Sequence, residues 1–121
     1  MKLKQFEELV AEALDELPEE IAKHMDNIAI TVADWPSHAE LESTGRRSPY
    51  DLLGLYQGVP LTQRGQSYNL LPPDRIVLFR RPLEAAARSP AAMRELVRNT
   101  VVHEIAHHFG ISDERIKEIG Y

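Results

Sequence analysis

The run His103-Glu104-Ile105-Ala106-His107-His108-Phe109-Gly110-Ile111-Ser112-Asp113 holds imidazoles and carboxylates at spacings that suit one metal ion. On a helix, His103 and His107 lie four residues apart and project from one face, about 6 Å apart along the axis, so both can close on a single ion. Glu104 is rotated by about 100° from His103, within reach of a water that such an ion activates. Gly110 ends the helix and lets the chain turn, which brings Asp113 back as a third ligand and leaves a fourth position open. Three protein ligands with one open position make a catalytic arrangement, whereas a structural zinc is closed by four. The chain has no cysteine, so zinc has to be held by histidine and carboxylate. Disulfides and cysteine proteolysis are excluded on the same ground.

HExxH alone is a weak signal, since shuffling this composition produces it in roughly 2% of chains; requiring Gly110 and Asp113 as well lowers the chance to the order of one in ten thousand. The extended pattern is therefore read as a site, with His103, His107 and Asp113 as metal ligands and Glu104 as the catalytic base. The residues around it, Val101 to Phe109, are otherwise apolar. Burying two imidazoles and a carboxylate there would be costly without a metal or a polar network, so this half of the helix is expected to form a buried catalytic floor. Asp113 also fits an ordinary helix start, with Ser112 as cap and acids facing the positive dipole end, so its ligand role rests on spacing. His108 is expected to pack beside the site or lie exposed without a role. His24 and His38 stand in no ligand spacing and are expected to be solvated.

The elements that must position these residues fit one domain, 1–121, with 43% hydrophobic residues, enough to bury roughly two thirds of the unfolded surface in a single core. No apolar run approaches the ~20 residues of a membrane span and no signal-peptide core follows the N-terminal lysines, so a cytoplasmic protein is expected. The net charge of −5 argues against extended nucleic-acid binding. Arg46-Arg47 and Arg80-Arg81 are local exceptions, read as solvated surface.

Leu3, Phe6, Leu9, Val10, Ala13, Leu14 and Leu17 recur at helical spacing, which predicts an amphipathic helix to about Pro18. Ile28, Ile30 and Val32 alternate along a half-buried strand over 28–33. Ser37 to Asp51 is polar and reads as a long surface loop, of a length that is often functional. Leu52 to Gln57 and Tyr68 to Leu71 bracket two turn signals and suggest a hairpin-like pair, and Arg75 to Arg80 is a buried strand, giving three or four strands. Pro82 to Arg88 is expected as a short helix begun by its proline. Ser89-Pro90 then caps a longer helix over Ala91 to Phe109, and Ser112 to Tyr121 holds a last short one. The fold class is α+β: a small mixed sheet packed on an N-terminal helix and the central motif helix.

Beyond the motif, the segments Leu53-Gly54-Leu55-Tyr56-Gln57-Gly58-Val59-Pro60-Leu61 and Pro73-Asp74-Arg75-Ile76-Val77-Leu78-Phe79-Arg80-Arg81-Pro82 extend the likeness over most of the chain. The chain resembles the small bacterial single-domain zincin-like metallopeptidases. That resemblance implies a minimal zincin fold, in which a small sheet packs on the motif helix and an edge strand runs beside the substrate cleft. Residues 53–57 are the candidate edge, along which an extended peptide could pair as an added strand. Larger peptidases with this signature carry a methionine-containing turn below the zinc and a C-terminal subdomain that walls the cleft. Here Met1, Met25 and Met93 are all upstream and eight residues follow Asp113, so a shallow cleft is expected.

The function expected is peptide-bond hydrolysis with Zn²⁺ held by His103, His107 and Asp113, and Glu104 as general base for the attacking water. Tyr56, Tyr68, Tyr121 and the loop arginines are candidates to steady the oxyanion. Two alternatives stand beside it. A metal-dependent endoribonuclease would use the same ligand spacing, but it does not call for Glu104 and would not favour the acidic charge. A non-catalytic zinc-binding protein would use the metal only to steady the fold or a partner site.

Overall fold

The computed structural model describes residues 1–58 and 73–121. Its first helix, α1 (Leu3–Asp15), buries Phe6, Leu9, Val10 and Ala13 on one stripe, the face its periodicity predicts. It stops three residues short of Pro18, because the proline disfavours helical backbone in the residue before it. Pro18 then leads into a short helix, α2 (Glu19–Ala22), which the apolar periodicity missed because only Ile21 of its four residues is buried. A 3-10 turn (Met25–Asn27) leads to strand β1 (Ile28–Ala33), at the predicted boundaries.

The predicted long loop over 37–51 is wrong. Ser37 and Glu40 form a reciprocal capping box, Glu40 N donating to Ser37 Oγ at 3.1 Å and Ser37 N to Glu40 Oε1 at 2.8 Å. They start helix α3 (His38–Thr44), which ends at Gly45. A second 3-10 turn (Pro49–Asp51), capped by Ser48, follows. The segment is polar because α3 is a surface helix with no buried residue, so its sequence lacks the apolar stripe that marks a core helix.

Strand β2 (Gly54–Gln57) comes next, then β3 (Asp74–Phe79). The strand expected at Tyr68–Leu71 lies outside the described residues. Among those described, the sheet is three-stranded in the order β1-β3-β2, with β1 parallel and β2 antiparallel to β3. Central β3 buries Ile76, Val77, Leu78 and Phe79 in succession, as a strand covered on both faces should. Phe79 N donates to Leu53 O at 2.9 Å, so alternation along β2 turns the backbone groups of Gly54 and Tyr56 toward the edge away from β3.

Helix α4 (Arg80–Ala86) begins two residues before its predicted start. Pro82 sits third in the helix instead of first, which costs nothing because N–H groups in the opening turn have no intrahelical acceptor. Helix α5 (Pro90–Phe109) opens with Ser89 Oγ accepting from Ala92 N, and α6 (Asp113–Glu118) opens with Ser112 Oγ accepting from Arg115 N. The core joins α1, β3 and α5 through Phe6, Val10, Ile76, Leu78, Val97 and Val101. The chain is an α+β protein with six α-helices among its described residues, consistent with a minimal zincin-like fold.

One contact sets how closely the sheet approaches the motif helix. A Cβ at Gly54 would stand 2.8 Å from Thr100 Cγ2 on α5 and 3.2 Å from the carbonyl oxygen of Val77 on β3. Only glycine lets β2 lie this near α5, because a backbone carbonyl on one side and a helix side chain on the other leave no room to give. Gly54→Ala is expected to cost about 1–3 kcal/mol in a thermal melt, the range for overpacked sites. Thr100→Ser removes the opposing methyl and keeps the hydroxyl bond to Leu96 O. It should therefore recover part of the loss when combined with Gly54→Ala, and simple additivity of the two changes would disprove the contact.

Candidate active site

Helix α5 buries Val97, Val101, Val102, Ile105 and Ala106, a stripe at spacings of four, one, three and one that faces the core. His103, Glu104 and His107 fall between those positions and face outward. The buried catalytic floor expected from composition is therefore not what forms. His103 and His107 are exposed and Glu104 is half-buried. Their burial cost, used above to favour a metal, does not arise; the apolar residues around them point the opposite way. What holds instead is the geometric part of the expectation, one helix face carrying both imidazoles.

Gly110 adopts φ +72°, a left-handed conformation that a side chain would strain by about 1–2 kcal/mol. This turn lets Ile111 N donate to Ala106 O at 2.8 Å and redirects the chain into α6. Ile116, buried on α6, fastens that helix to the core. As a result Asp113 comes back beside the motif, and His103, Glu104, His107 and Asp113 line one pocket of about 250 Å³ whose apolar side is Ile111 and Ile116. Two imidazoles and a carboxylate fit zinc by donor type, and the four residues named from sequence share this one pocket. Among the described residues, the side chains as placed do not form a closed set of three metal donors. His103, His107 and Asp113 are all exposed, so rotation about their side-chain torsions is open to them.

Glu104 is held from the sheet. Its Oε1 accepts a hydrogen bond from Tyr56 N, on the side of β2 away from β3, at 2.9 Å, which puts the carboxylate between motif helix and edge strand. Tyr56 is itself fixed twice. Its hydroxyl donates to Asp74 Oδ2 at 2.7 Å and its ring stacks on His108 at 3.8 Å between centroids. The side of β2 away from the site is tied down as well, with Gln57 Nε2 donating to Glu40 Oε2 and Arg75 Nε donating to Gln57 Oε1. His108 thus belongs to the packing beside the site. His24 departs from the solvated expectation, since it stacks on Phe109 at 4.2 Å, while exposed His38 pairs with Glu42.

The oxyanion candidates sort differently from one another. The Tyr56 hydroxyl is committed to Asp74, Tyr121 packs against the core, and Tyr68 lies outside the described residues. Of the loop arginines, Arg46 lines a second pocket that also includes His103 and Glu104. Asn99 and Thr100 line it too, four and three residues before His103. Helical spacing alone places those two on the His103 face, so this signal was present in the sequence and was missed. The Tyr56 backbone contact had no such signal, because every residue carries the same N–H.

The helix that carries Asp113 is clamped from outside. Arg115 Nε donates to both carboxylate oxygens of Glu20 on α2, each at 3.0 Å, and Arg115 Nη1 donates to Glu118 Oε2 at 2.7 Å. The hydrogen bonds from Arg115 hold the Glu20 carboxyl below its usual value, offset in part by desolvation. A carboxylate with a depressed folded-state pKa stabilises above its unfolded pKa, and that contribution fades as pH falls through the folded value. Glu20→Gln is accordingly expected to speed amide exchange in 113–118 severalfold at neutral pH and to have little effect in acid; equal exchange in both proteins at neutral pH would rule the clamp out.

Comparison with protein families matches residues 25–121 to a family described as zincin-like metallopeptidase. The comparison with curated proteins gives no match. No helix among the described residues is long and apolar enough to cross a membrane. The matched span includes the strands, the motif helix and the returning Asp113, and on it the chain belongs to the zincin-like metallopeptidase family.

Proposed function

We propose that this chain is a zinc-dependent peptidase in which His103, His107 and Asp113 hold the metal and Glu104 is the general base. The observation that carries the reading is the single pocket shared by these four side chains, opening beside an edge strand whose Tyr56 N–H meets Glu104. Bound Zn²⁺ would supply Lewis-acid activation of water and of the scissile carbonyl. Glu104 takes a proton from the attacking water at one carboxylate oxygen and delivers it to the leaving amine. β2 is the outer strand of the described sheet, and an extended peptide lying along it is aligned over the pocket. Among the described residues, α5 and β2 wall the cleft on two sides, which suits short or unfolded peptides. Peptide and protein substrates are in keeping with the family; the net charge of −5 speaks against a nuclease.

The core formed by α1, β3 and α5 contains none of the proposed ligands, so the fold does not rest on the metal. Incubation with a chelator is therefore expected to abolish cleavage of a peptide library while the apo protein still melts cooperatively. Zinc restored at about 100 times its Kd should raise stability by about 2.7 kcal/mol through binding linkage alone. Unfolding on chelation would show the metal to be structural, and library cleavage that survives complete zinc removal would refute the proposal.

A further inference from the structure

His103 and Glu104 line two pockets at once. One holds His107 and Asp113, and the other, also about 250 Å³, reaches along the first half of α5 to Arg46 and Asp51. Both arms are walled by His103 and the proposed base Glu104, so a side chain next to a bond held at that base lies within reach of the Arg46 arm. Its floor is apolar, formed by Leu52, Leu53 and Leu96.

Two polar side chains in that arm are already engaged. Thr100 Oγ1 donates to Leu96 O at 2.7 Å, and Glu104 is bound to Tyr56 N. Arg46 differs. Its Nη1 donates to the backbone carbonyl of Asp51 at 2.6 Å, which orients the guanidinium and uses one of its five donors. Among the described residues no carboxylate pairs with it, and the Asn99 amide has no hydrogen-bond partner. An oriented guanidinium with donors to spare, beside an amide and above an apolar floor, is suited to a carboxylate held at two points. Asp51 is the opposing charge at the mouth. It is exposed and its side chain is untethered, so it can swing into solvent, where its repulsion is screened. Arg46 is held in place by the Asp51 carbonyl and by its own N–H, which donates to Leu41 O at 3.0 Å.

We infer that the Arg46 arm is a substrate subsite for a carboxylate, with Arg46 as its specificity-determining residue and Asn99 as a second donor. The inference rests on the peptidase reading. The carboxylate can come from an acidic side chain beside the scissile bond or from the C-terminus of a peptide, and both present the same two oxygens.

Three short peptides distinguish the sources: one with an internal Glu and an amidated end, its Glu→Gln counterpart, and that neutral peptide with a free C-terminus. Their cleavage by the zinc-loaded protein is compared with their binding, by calorimetry, to the zinc-loaded Glu104→Gln variant. At least one carboxylate peptide is expected to exceed the neutral amidated peptide by about tenfold in both measurements, the effect of a charge-assisted pair discounted for exposure. Arg46→Ala should erase that difference without lowering the melting temperature, and Arg46→Glu should turn it toward a peptide with Lys at the same position. Cleavage of all three peptides at equal rates, or a carboxylate preference that persists in Arg46→Ala, would overturn the subsite and leave the peptidase reading standing. Arg46-dependent carboxylate binding without any cleavage would do the reverse. Neither cleavage nor binding would overturn both.

Discussion

Glu104→Gln is expected to lower peptide hydrolysis by about 10²–10⁴-fold, the usual contribution of a general base, while zinc content stays at the wild-type level. The geometry makes this a clean substitution. Glu104 Oε1 accepts from Tyr56 N at 2.9 Å, and the carbonyl oxygen of a glutamine can accept the same bond. Gln therefore keeps the side chain between helix and edge strand and removes only its capacity to take a proton. His103, His107 and Asp113 are untouched, so metal analysis of the purified variant should match wild type. Full activity in the variant would mean that the proton goes elsewhere and that the mechanism is wrong.

A second substitution separates metal binding from packing. His107→Ala is expected to abolish hydrolysis and to weaken zinc by more than about 100-fold, beyond the 10–100-fold typical of groups that only support a ligand. Among the described residues His107 stacks on no ring, and it is exposed, so its removal should leave the melting temperature of the apo protein nearly unchanged. The adjacent residue provides the control. His108 stacks on Tyr56 at 3.8 Å and faces away from the shared pocket, so His108→Ala should cost some stability around β2 and leave zinc affinity within a few-fold. Zinc titrations that gave the reverse order, with His108→Ala the weaker binder, would show the ligand set to be misassigned.

Where the sequence was legible, one periodicity governed one element. The stripe Phe6, Leu9, Val10 and Ala13 yielded α1, and the alternating β-branched residues of 28–33 yielded β1 at its observed limits. The Ser-Pro pair at 89–90 marked the start of α5 to within a residue. The misreading of 37–51 has a local cause: α3 is started by the Ser37–Glu40 capping box and buries nothing, so a reading led by hydrophobic pattern saw only polar sequence. The burial of the motif was misjudged for a related reason. Apolar residues interleaved with His and Glu indicate that the helix has a core face, but they do not say that the histidines share it.

The sequence by itself determined the chemistry on offer, because residue type and helical spacing are local. His103 and His107 lie one turn apart on any helix, Glu104 follows at its fixed rotation, and a glycine at 110 allows the turn that returns Asp113. Only the tertiary structure decided what those groups face, because that depends on contacts between residues distant along the chain. Gly54 must meet Thr100 for β2 to lie against α5, which brings the Tyr56 N–H to Glu104 across 48 positions. The same packing turns the histidines outward and carries Arg46, on a segment read as loop, to the wall of the cleft.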